Sequence, residues 1–155
     1  MESVALKGPN GCEMRSPSVS VVMTSYNSQA FIREAIDSIL YQTFQDFELI
    51  IVDDGSTDAT RDVVKSYRNS KVRFYELAHI GRGASLNYAC KQASGKYIAF
   101  MDSDDIAIPT RLEKQHKYLE SDSNVDILSA WFYRITDNGK IKRLVKLPLV
   151  HEDIE

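Results

Sequence analysis

The sequence predicts an α/β fold with a mainly parallel central β-sheet and helices on both of its faces. Short runs of β-branched and other apolar residues alternate with segments in which apolar residues recur at helical spacing. The connections between these segments are short, which is typical of strands and helices that alternate within one layered domain. A chain of 155 residues is also short enough for one hydrophobic core, because cores divide only beyond roughly 250 residues.

The first half of the chain predicts three strands and two helices. They are strand Val19–Met23, helix Ser28–Tyr41, strand Phe47–Val52, a helix carrying Val63, Val64 and Tyr67 on one face, and strand Val72–Leu77. The first helix is amphipathic, because its apolar residues recur every three or four positions. The second helix follows an Asp-Asp-Gly-Ser turn, and Ser56 or Thr57 is predicted to cap it.

The second half continues the alternation and ends in a hairpin. The predicted elements are a helix through Leu86 to Ala93, strand Lys96–Met101, a polar helix opened by Pro109, strand Val125–Ile135 (or two short strands there), and strand Ile141–Val145. Gly95 stands where a helix C-terminal cap belongs, and Asn138-Gly139 is a hairpin signal. The predicted order is therefore β-α-β-α-β-α-β-α-β-β.

One domain is predicted over residues 18–147, between two short flanking segments. Residues 1–17 contain Gly8-Pro9-Asn10-Gly11 and show no apolar periodicity, so we expect a flexible tail. Residues 148–155 begin at Pro148 and are expected to start a connection to a further part of the protein.

Composition and charge exclude several classes of protein. The chain is 43% hydrophobic and 26% charged, as globular proteins are, and its net charge of −3 argues against a nucleic-acid partner. No apolar run approaches the roughly 20 residues that span a bilayer. Cys12 and Cys90 are too few for a disulfide framework or a zinc cluster. A cytoplasmic location is the default expectation.

Polar residues cluster where three predicted strands end. Thr24-Ser25-Tyr26-Asn27 follows the first strand, Asp53-Asp54-Gly55-Ser56 the second, and Asp102-Ser103-Asp104-Asp105 the fourth. Because ligands of open α/β sheets bind outside the carboxyl ends of the strands, three clusters on that edge predict a binding site there.

Asp102 and Asp104 are the predicted metal ligands. Carboxylate oxygens suit Mg²⁺ or Mn²⁺, which commonly bind through one or two carboxylates plus the phosphates of a substrate. An Asp-x-Asp pair alone is weak evidence, since a solvated turn that caps the next helix has the same sequence. Both interpretations stay open at this point.

Three further features suggest nucleotide recognition. An acidic side chain at a strand end, such as Asp53 or Asp54, can accept hydrogen bonds from a ribose hydroxyl or a base N–H. Tyr26 could stack on a base, and Arg82 on its glycine-flanked loop could meet a phosphate. The alternatives are a turn and helix cap for the two aspartates, a half-buried rim position for Tyr26 and a solvated loop position for Arg82.

Taken together, the motifs resemble those of the family 2 glycosyltransferases of the GT-A fold. The resemblance rests on three segments in the same order and spacing: S-V-V-M-T-S-Y-N, Q-T-F-Q-D-F-E-L-I-I-V-D-D-G-S-T-D and G-K-Y-I-A-F-M-D-S-D-D-I-A-I-P-T-R-L-E-K-Q. It runs from about Val19 to Trp131. It implies a Rossmann-like, three-layer GT-A domain that binds a nucleoside-diphosphate sugar, with a UDP-sugar favoured.

The resemblance also implies a mechanism and a set of residues. The expected reaction is an inverting, Mn²⁺- or Mg²⁺-dependent transfer of the sugar to a saccharide or lipid-linked acceptor, as in polysaccharide assembly, with contact to the inner face of a membrane left open. The expected nucleotide-sugar-binding residues are Thr24, Tyr26, Asn27, Asp53, Asp54, Arg82, Asp102 and Ser103. The general base remains unknown, because the family carries its base and acceptor half downstream and it is expected beyond Glu155.

One departure and two alternatives accompany the resemblance. Many members carry Arg directly before the Asn of the third helix, where this chain has Leu86 before Asn87, so Arg82 is the candidate replacement for that phosphate contact. A haloacid-dehalogenase-like phosphatase could use Asp102 as its nucleophile, although its motif normally opens the domain. A non-catalytic nucleotide-sugar-binding module is the other alternative.

Overall fold

The computed structural model of the chain describes residues 16–136 and 139–147. Residues 1–15 of the tail predicted over residues 1–17, Asn138 of the predicted turn and the predicted connection over residues 148–155 lie outside the described residues. The chain divides into two compact units, Met1–His116 and Lys117–Glu155, and each is described by itself.

Strands and helices alternate in the first unit in the predicted order. The elements are β1 (Val19–Ser25), α1 (Ile32–Leu40), β2 (Phe47–Asp54), α2 (Thr60–Lys65), β3 (Val72–Leu77), α3 (Arg82–Gln92), β4 (Tyr97–Asp102) and α4 (Arg111–Ser121), the last of which continues into the second unit. None of the helices in the described ranges is long and apolar enough to cross a membrane.

The four strands of the first unit form one parallel sheet in the order β3-β2-β1-β4. This arrangement confirms the predicted fold class. In the register of the sheet, Ser25 of β1 lies beside Asp53 of β2, and Thr24 lies beside Asp102 of β4. The polar carboxyl ends of three strands therefore meet along one edge.

The core has two parts because successive side chains of a strand point to opposite faces of the sheet. On one face, Val21, Met23 and Ile51 pack with the apolar stripe of α1, and all of these side chains are buried. On the other face, Val22 and Ile50 pack against α3. The central strands β1 and β2 are buried on both faces, which explains their nearly continuous apolar sequence.

Several strand bounds differ from the prediction at the polar edge. β1 and β2 each extend two residues further than predicted, to Ser25 and Asp54, and β4 extends to Asp102. Hydrogen bonding between parallel neighbours keeps these polar residues in the sheet, a constraint that side-chain polarity does not reveal. The predicted fifth strand is also shorter, since residues 125–131 pair with no strand in the part that the structure describes.

The helix starts and caps were less predictable than the helices themselves. α1 begins at Ile32 rather than at Ser28, and α4 at Arg111 rather than at Pro109. The predicted cap of α2 was wrong: Asp58, not Ser56 or Thr57, accepts the hydrogen bond from the backbone N–H of Thr60 at 2.9 Å.

Gly95 does not cap α3, contrary to the prediction. The helix ends at Gln92, Ala93 after it has extended backbone, and Gly95 instead lies against β1. A Cβ at Gly95 would come within 2.6 Å of the backbone N of Ser20. This position therefore needs glycine, because the backbone around Gly95 and the backbone of β1 approach closely.

The second unit contains an antiparallel hairpin of β5 (Phe132–Ile135) and β6 (Ile141–Val145). Gly139 has a φ of +77° and the backbone N–H of Thr136 donates to the Lys140 carbonyl at 2.9 Å, as a tight turn requires. The predicted hairpin is therefore present.

Candidate functional site

An open cleft of about 550 Å³ lies at the carboxyl edge of the sheet in the first unit. The loops that follow β1, β2 and β4 and the start of α3 surround it. Its lining residues are Thr24, Ser25, Tyr26, Asn27, Ser28, Phe31, Asp54, Arg82, Asp102, Ser103 and Asp104. The cleft thus lies where the sequence places a ligand site.

Eight of the nine residues predicted for the site line this cleft, and Asp53 does not. Sequence reasoning missed Ser28 and Phe31, and it placed Ser25 in the polar cluster after the first strand without assigning it to the site. Their signal was position alone, because they flank Tyr26-Asn27 where the chain passes from β1 to α1.

The Asp53 carboxylate is buried under the loops rather than directed into the cleft. Its side chain is 0% exposed and accepts hydrogen bonds from Arg61 Nε at 2.8 Å and from the backbone N–H of Ser56 at 2.9 Å. The hydroxyls of Ser56 and Ser25 also donate to it. This set of donors gives Asp53 the task of joining the carboxyl ends of β1 and β2 to α2.

Asp54 holds the turn that leads into α3. Its carboxylate accepts hydrogen bonds from the backbone N–H groups of Ile80, at 2.8 Å, and Gly81, at 3.0 Å, and from the Ser85 hydroxyl at 2.9 Å. Burial by itself raises the pKa of Asp54, but these hydrogen bonds and nearby His79 together hold that pKa below its usual value. An ionised Asp54 therefore fixes the backbone from which Arg82 projects.

Tyr26 presents an aromatic ring at the cleft. The ring is stacked on that of His79, with centroids 4.4 Å apart, and Tyr26 remains 48% exposed. His79 Nδ1 lies 2.9 Å from the Asp54 carbonyl oxygen, so the stacked pair is anchored to β2. A half-exposed ring that is fixed in this way can stack on a nucleobase.

Asn27 joins the loop after β1 to the loop after β2. Its φ is +50°, a left-handed conformation that Asn tolerates better than most residues. The side-chain oxygen of Asn27 accepts a hydrogen bond from the backbone N–H of Thr57 at 2.8 Å, and the backbone N–H of Asn27 donates to the Ser56 hydroxyl at 2.9 Å. Asn27 therefore lines the cleft with its side-chain oxygen already hydrogen bonded within the protein.

The loop after β4 is tied to neighbouring elements at several points. The Ser103 hydroxyl lies 2.8 Å from that of Ser28, so the acidic loop is joined to the loop after β1. Further along, the buried Gln42 side chain donates to the Ile108 carbonyl at 2.8 Å and accepts from the Leu112 N–H at 2.9 Å. These contacts position Asp102 and Asp104 at the cleft.

The acidic loop carries three carboxylates in four residues. Asp102 is 52% exposed and pairs with Arg82, whose Nη2 lies 2.6 Å from Asp102 Oδ1. Asp104 is exposed as well. Burial, followed by the negative charges of Asp104 and Asp102, raises the pKa of Asp105. The loop is therefore a place where positive charge is favoured.

Asp102 and Asp104 fit a divalent cation that shares its coordination with a ligand. Among residues 16–136 and 139–147 no group of three His, Cys, Asp or Glu side chains is placed to hold a metal by itself. Mg²⁺ and Mn²⁺ are often held by only one or two carboxylates, with phosphate oxygens and waters completing the shell. The exposed pair at the cleft matches that type of site.

Comparison with known proteins gives consistent matches over most of the chain. The family model described as Glycosyl transferase family 2 matches residues 20–153. An uncharacterized glycosyltransferase of Methanocaldococcus jannaschii is 44% identical over 139 residues, which cover 86% of this chain and 48% of the relative. One from Haemophilus influenzae is 36% identical over 152 residues, covering 89% and 46% respectively. The chain spans about half or less of the length of the curated relatives it matches.

Solved structures with a similar fold hold ligands. Staphylococcus aureus TarS (residues 1–349) in complex with UDP-GlcNAc is 35% identical, with a TM-score of 0.64, and the match covers 67% of this chain and 31% of that one. Mannosyltransferase PcManGT from Pyrobaculum calidifontis, in complex with GDP-Man and Mn²⁺, is 26% identical, with a TM-score of 0.61 and coverage of 68% and 33%.

Proposed function

Because the chain belongs to glycosyltransferase family 2, we propose that it is the donor-binding part of an inverting, metal-dependent enzyme. Its parallel sheet and flanking helices are the GT-A arrangement that the sequence predicted. The proposed donor is a nucleoside-diphosphate sugar, with a UDP-sugar favoured. The proposed acceptor is a saccharide or a lipid-linked sugar, used in the cytoplasm or at the inner face of a membrane.

The observation that carries this proposal is the meeting of three kinds of group in one cleft. Tyr26 offers a ring for a base, Arg82 offers a guanidinium for a phosphate, and Asp102 with Asp104 offers carboxylates for a cation. A nucleoside diphosphate with a divalent ion needs all three. The UDP-GlcNAc of TarS and the GDP-Man and Mn²⁺ of PcManGT support the same class of ligand.

The chemistry follows from how the donor breaks. The acceptor oxygen forms a bond to the anomeric carbon, and the bond from that carbon to the diphosphate breaks with its electron pair on the diphosphate. Bound at Asp102 and Asp104, a divalent cation would neutralise the charge that develops on this leaving group. Arg82 would bind and orient the phosphates, since a guanidinium matches phosphate oxygens bidentately. The acceptor proton would pass to a carboxylate base, which we do not assign within residues 16–136 or 139–147.

The phosphatase alternative is not favoured. The nucleophile motif of that family normally opens its domain, whereas Asp102 ends the fourth strand of the sheet. The family match also runs through this loop and well beyond it.

Thermal unfolding with and without ligand tests the proposal. UDP with Mn²⁺ should raise the melting temperature, because a ligand at one hundred times its Kd stabilises the folded state by about 2.7 kcal/mol, or roughly 5–10 °C here. GDP with Mn²⁺ is the comparison that tests the preference for uridine. A wild-type protein that shifts with neither nucleotide contradicts the proposal.

A double variant tests whether the acidic pair is responsible. Asp102→Ala with Asp104→Ala should abolish the part of the shift that depends on Mn²⁺. Asp62→Ala with Asp126→Ala removes two exposed carboxylates outside the cleft and should leave the shift unchanged. Equal shifts in the two double variants would show that the cation does not bind at Asp102 and Asp104.

A further inference from the structure

Arg82 and Asp102 form an ion pair between two groups that the proposed function assigns to different partners. Arg82 Nη2 lies 2.6 Å from Asp102 Oδ1, and both residues line the cleft. In the proposed function, which this inference assumes, Asp102 binds the cation and Arg82 binds the phosphates. Without a ligand, the two side chains bind each other.

This pairing competes with a cation. A divalent ion needs the Asp102 carboxylate, yet Arg82 occupies one of its oxygens and places a positive charge directly beside the other. An arginine guanidinium keeps its proton in proteins, so the cleft already holds a bound positive charge at Arg82. A free metal ion therefore has to displace Arg82 or bind close to its like charge.

The structure leaves the Arg82 side chain room to move while its backbone is fixed. The Asp54 carboxylate holds the Gly81 N–H, and the Arg82 side chain is 70% exposed. At Gly81 and Gly83, a Cβ would meet nothing within 4 Å, so the segment on either side of Arg82 borders open space. The guanidinium can thus change partner without a change of fold.

We propose that Arg82 is an internal counter-ion which makes cation binding depend on the nucleotide. When a diphosphate enters, Arg82 leaves Asp102 for the phosphate oxygens, and the cation takes its place on the carboxylate. Each ligand then favours the other, and by linkage the factor must be equal in both directions. Ions free in solution would therefore bind the cleft more weakly before the donor enters than after it.

Direct measurement of Mn²⁺ binding tests this coupling. The free Mn²⁺ signal in electron paramagnetic resonance gives the Kd for Mn²⁺ with no nucleotide and with saturating UDP, for wild type, Arg82→Gln, Arg82→Lys and Arg68→Gln. Arg68 is an exposed arginine outside the cleft whose replacement changes the net charge equally. None of these binding measurements requires catalytic turnover.

The expected results differ between the variants. Without nucleotide, Arg82→Gln should bind Mn²⁺ about two- to fivefold more tightly than wild type, which is the range for an exposed ion pair. The factor by which UDP tightens Mn²⁺ binding should be smaller in Arg82→Gln than in wild type by a similar amount. Arg82→Lys keeps a charge beside Asp102 and should bind Mn²⁺ alone as weakly as wild type, and Arg68→Gln should match wild type throughout.

Two outcomes would overturn the inference. If Arg82→Gln and Arg68→Gln bind Mn²⁺ equally without nucleotide, Arg82 does not compete for Asp102. If UDP strengthens Mn²⁺ binding by the same factor in wild type and Arg82→Gln, the exchange of partners does not occur. In both cases UDP still binds, so the proposed function stands. A wild-type protein that binds neither UDP nor GDP would contradict both the proposed function and this inference.

Discussion

Asp53 and Asp54 are adjacent and chemically identical, yet their carboxylates serve different parts of the molecule. Both belong to β2, where successive side chains point to opposite faces of the sheet. Asp53 therefore meets Arg61 of α2, while Asp54 meets Ser85 of α3 and lines the cleft. The contribution of one or both to nucleoside binding stays a prediction, and the geometry favours Asp54.

Replacing Asp53 with Asn tests this division of roles. The amide keeps the shape of the carboxylate but brings an NH₂ group against the Ser56 N–H or Arg61, which are themselves donors. We expect the free energy of unfolding to fall by about 1.5–3 kcal/mol, the range for hydrogen bonds to a charged group. Urea unfolding at pH 7 measures the loss.

The same variant should bind UDP and Mn²⁺ as wild type does at a temperature where it is folded, because Asp53 does not line the cleft. A Kd for UDP that is tenfold weaker, with stability unchanged, would instead give Asp53 a direct part in binding the nucleotide.

At the scale of elements, the sequence predicted the strands and helices better than their ends. Apolar periodicity locates an element because it reports the buried face, and β3 and β6 have the predicted bounds. Ends depend on contacts from distant parts of the chain. Gly95, for example, is required by the approach of β1, which its local sequence does not reveal. The start of α2 is held locally by Asp58, but Ser56, Thr57 and Asp58 are all residue types that cap helices, and local sequence does not choose among them.

Prediction of the cleft from the sequence was likewise limited to features that depend on local sequence and on the parallel sheet. The residue types and their shared edge were predictable, because carboxyl ends of parallel strands meet. The ion pair of Arg82 with Asp102 was not, since it joins residues 20 positions apart through the start of α3 and the end of β4. Strand order, which brings β4 beside β1, has no local signal in the sequence.

Glu48 shows how one buried charge can hold several elements together. Its carboxylate accepts hydrogen bonds from Ser20 of β1 at 2.7 Å, from Arg73 of β3 at 2.6 Å, and from the Ser94 N–H at 2.9 Å. Burial raises the pKa of Glu48, but the hydrogen bonds from Ser20, Ser94 and Arg73 outweigh it and lower that pKa below its usual value.

This lowered pKa predicts a pH dependence of stability. A carboxyl group with a lower pKa in the folded state stabilises that state above its unfolded pKa of about 4.3 and loses the effect as pH falls through the folded value. Glu48→Gln should therefore be less stable than wild type at pH 7 but lose less stability between about pH 5 and pH 3. Urea unfolding across this pH range measures both slopes, and parallel slopes would show that Glu48 does not titrate differently on folding.

At the scale of the whole molecule, the cleft and both parts of the core lie within one unit. Among residues 16–136 and 139–147, those that line the cleft all precede residue 105, and the buried residues of the two apolar clusters end at Leu112. The unit division falls just after this point, at His116. Folding of the first unit and binding of the donor should then depend on the same stretch of chain.

A fragment of residues 16–121 tests whether the first unit is sufficient. It ends with α4 complete, so no helix is cut. Because the sheet, the core and all cleft residues are retained, we expect cooperative unfolding and a Kd for UDP with Mn²⁺ within about threefold of the 155-residue chain, a difference below 1 kcal/mol. Calorimetry on both proteins measures these values. A fragment that unfolds cooperatively but has lost its affinity for UDP would show that residues after 121 complete the donor site, and the acidic loop would then need a partner from the later part of the chain.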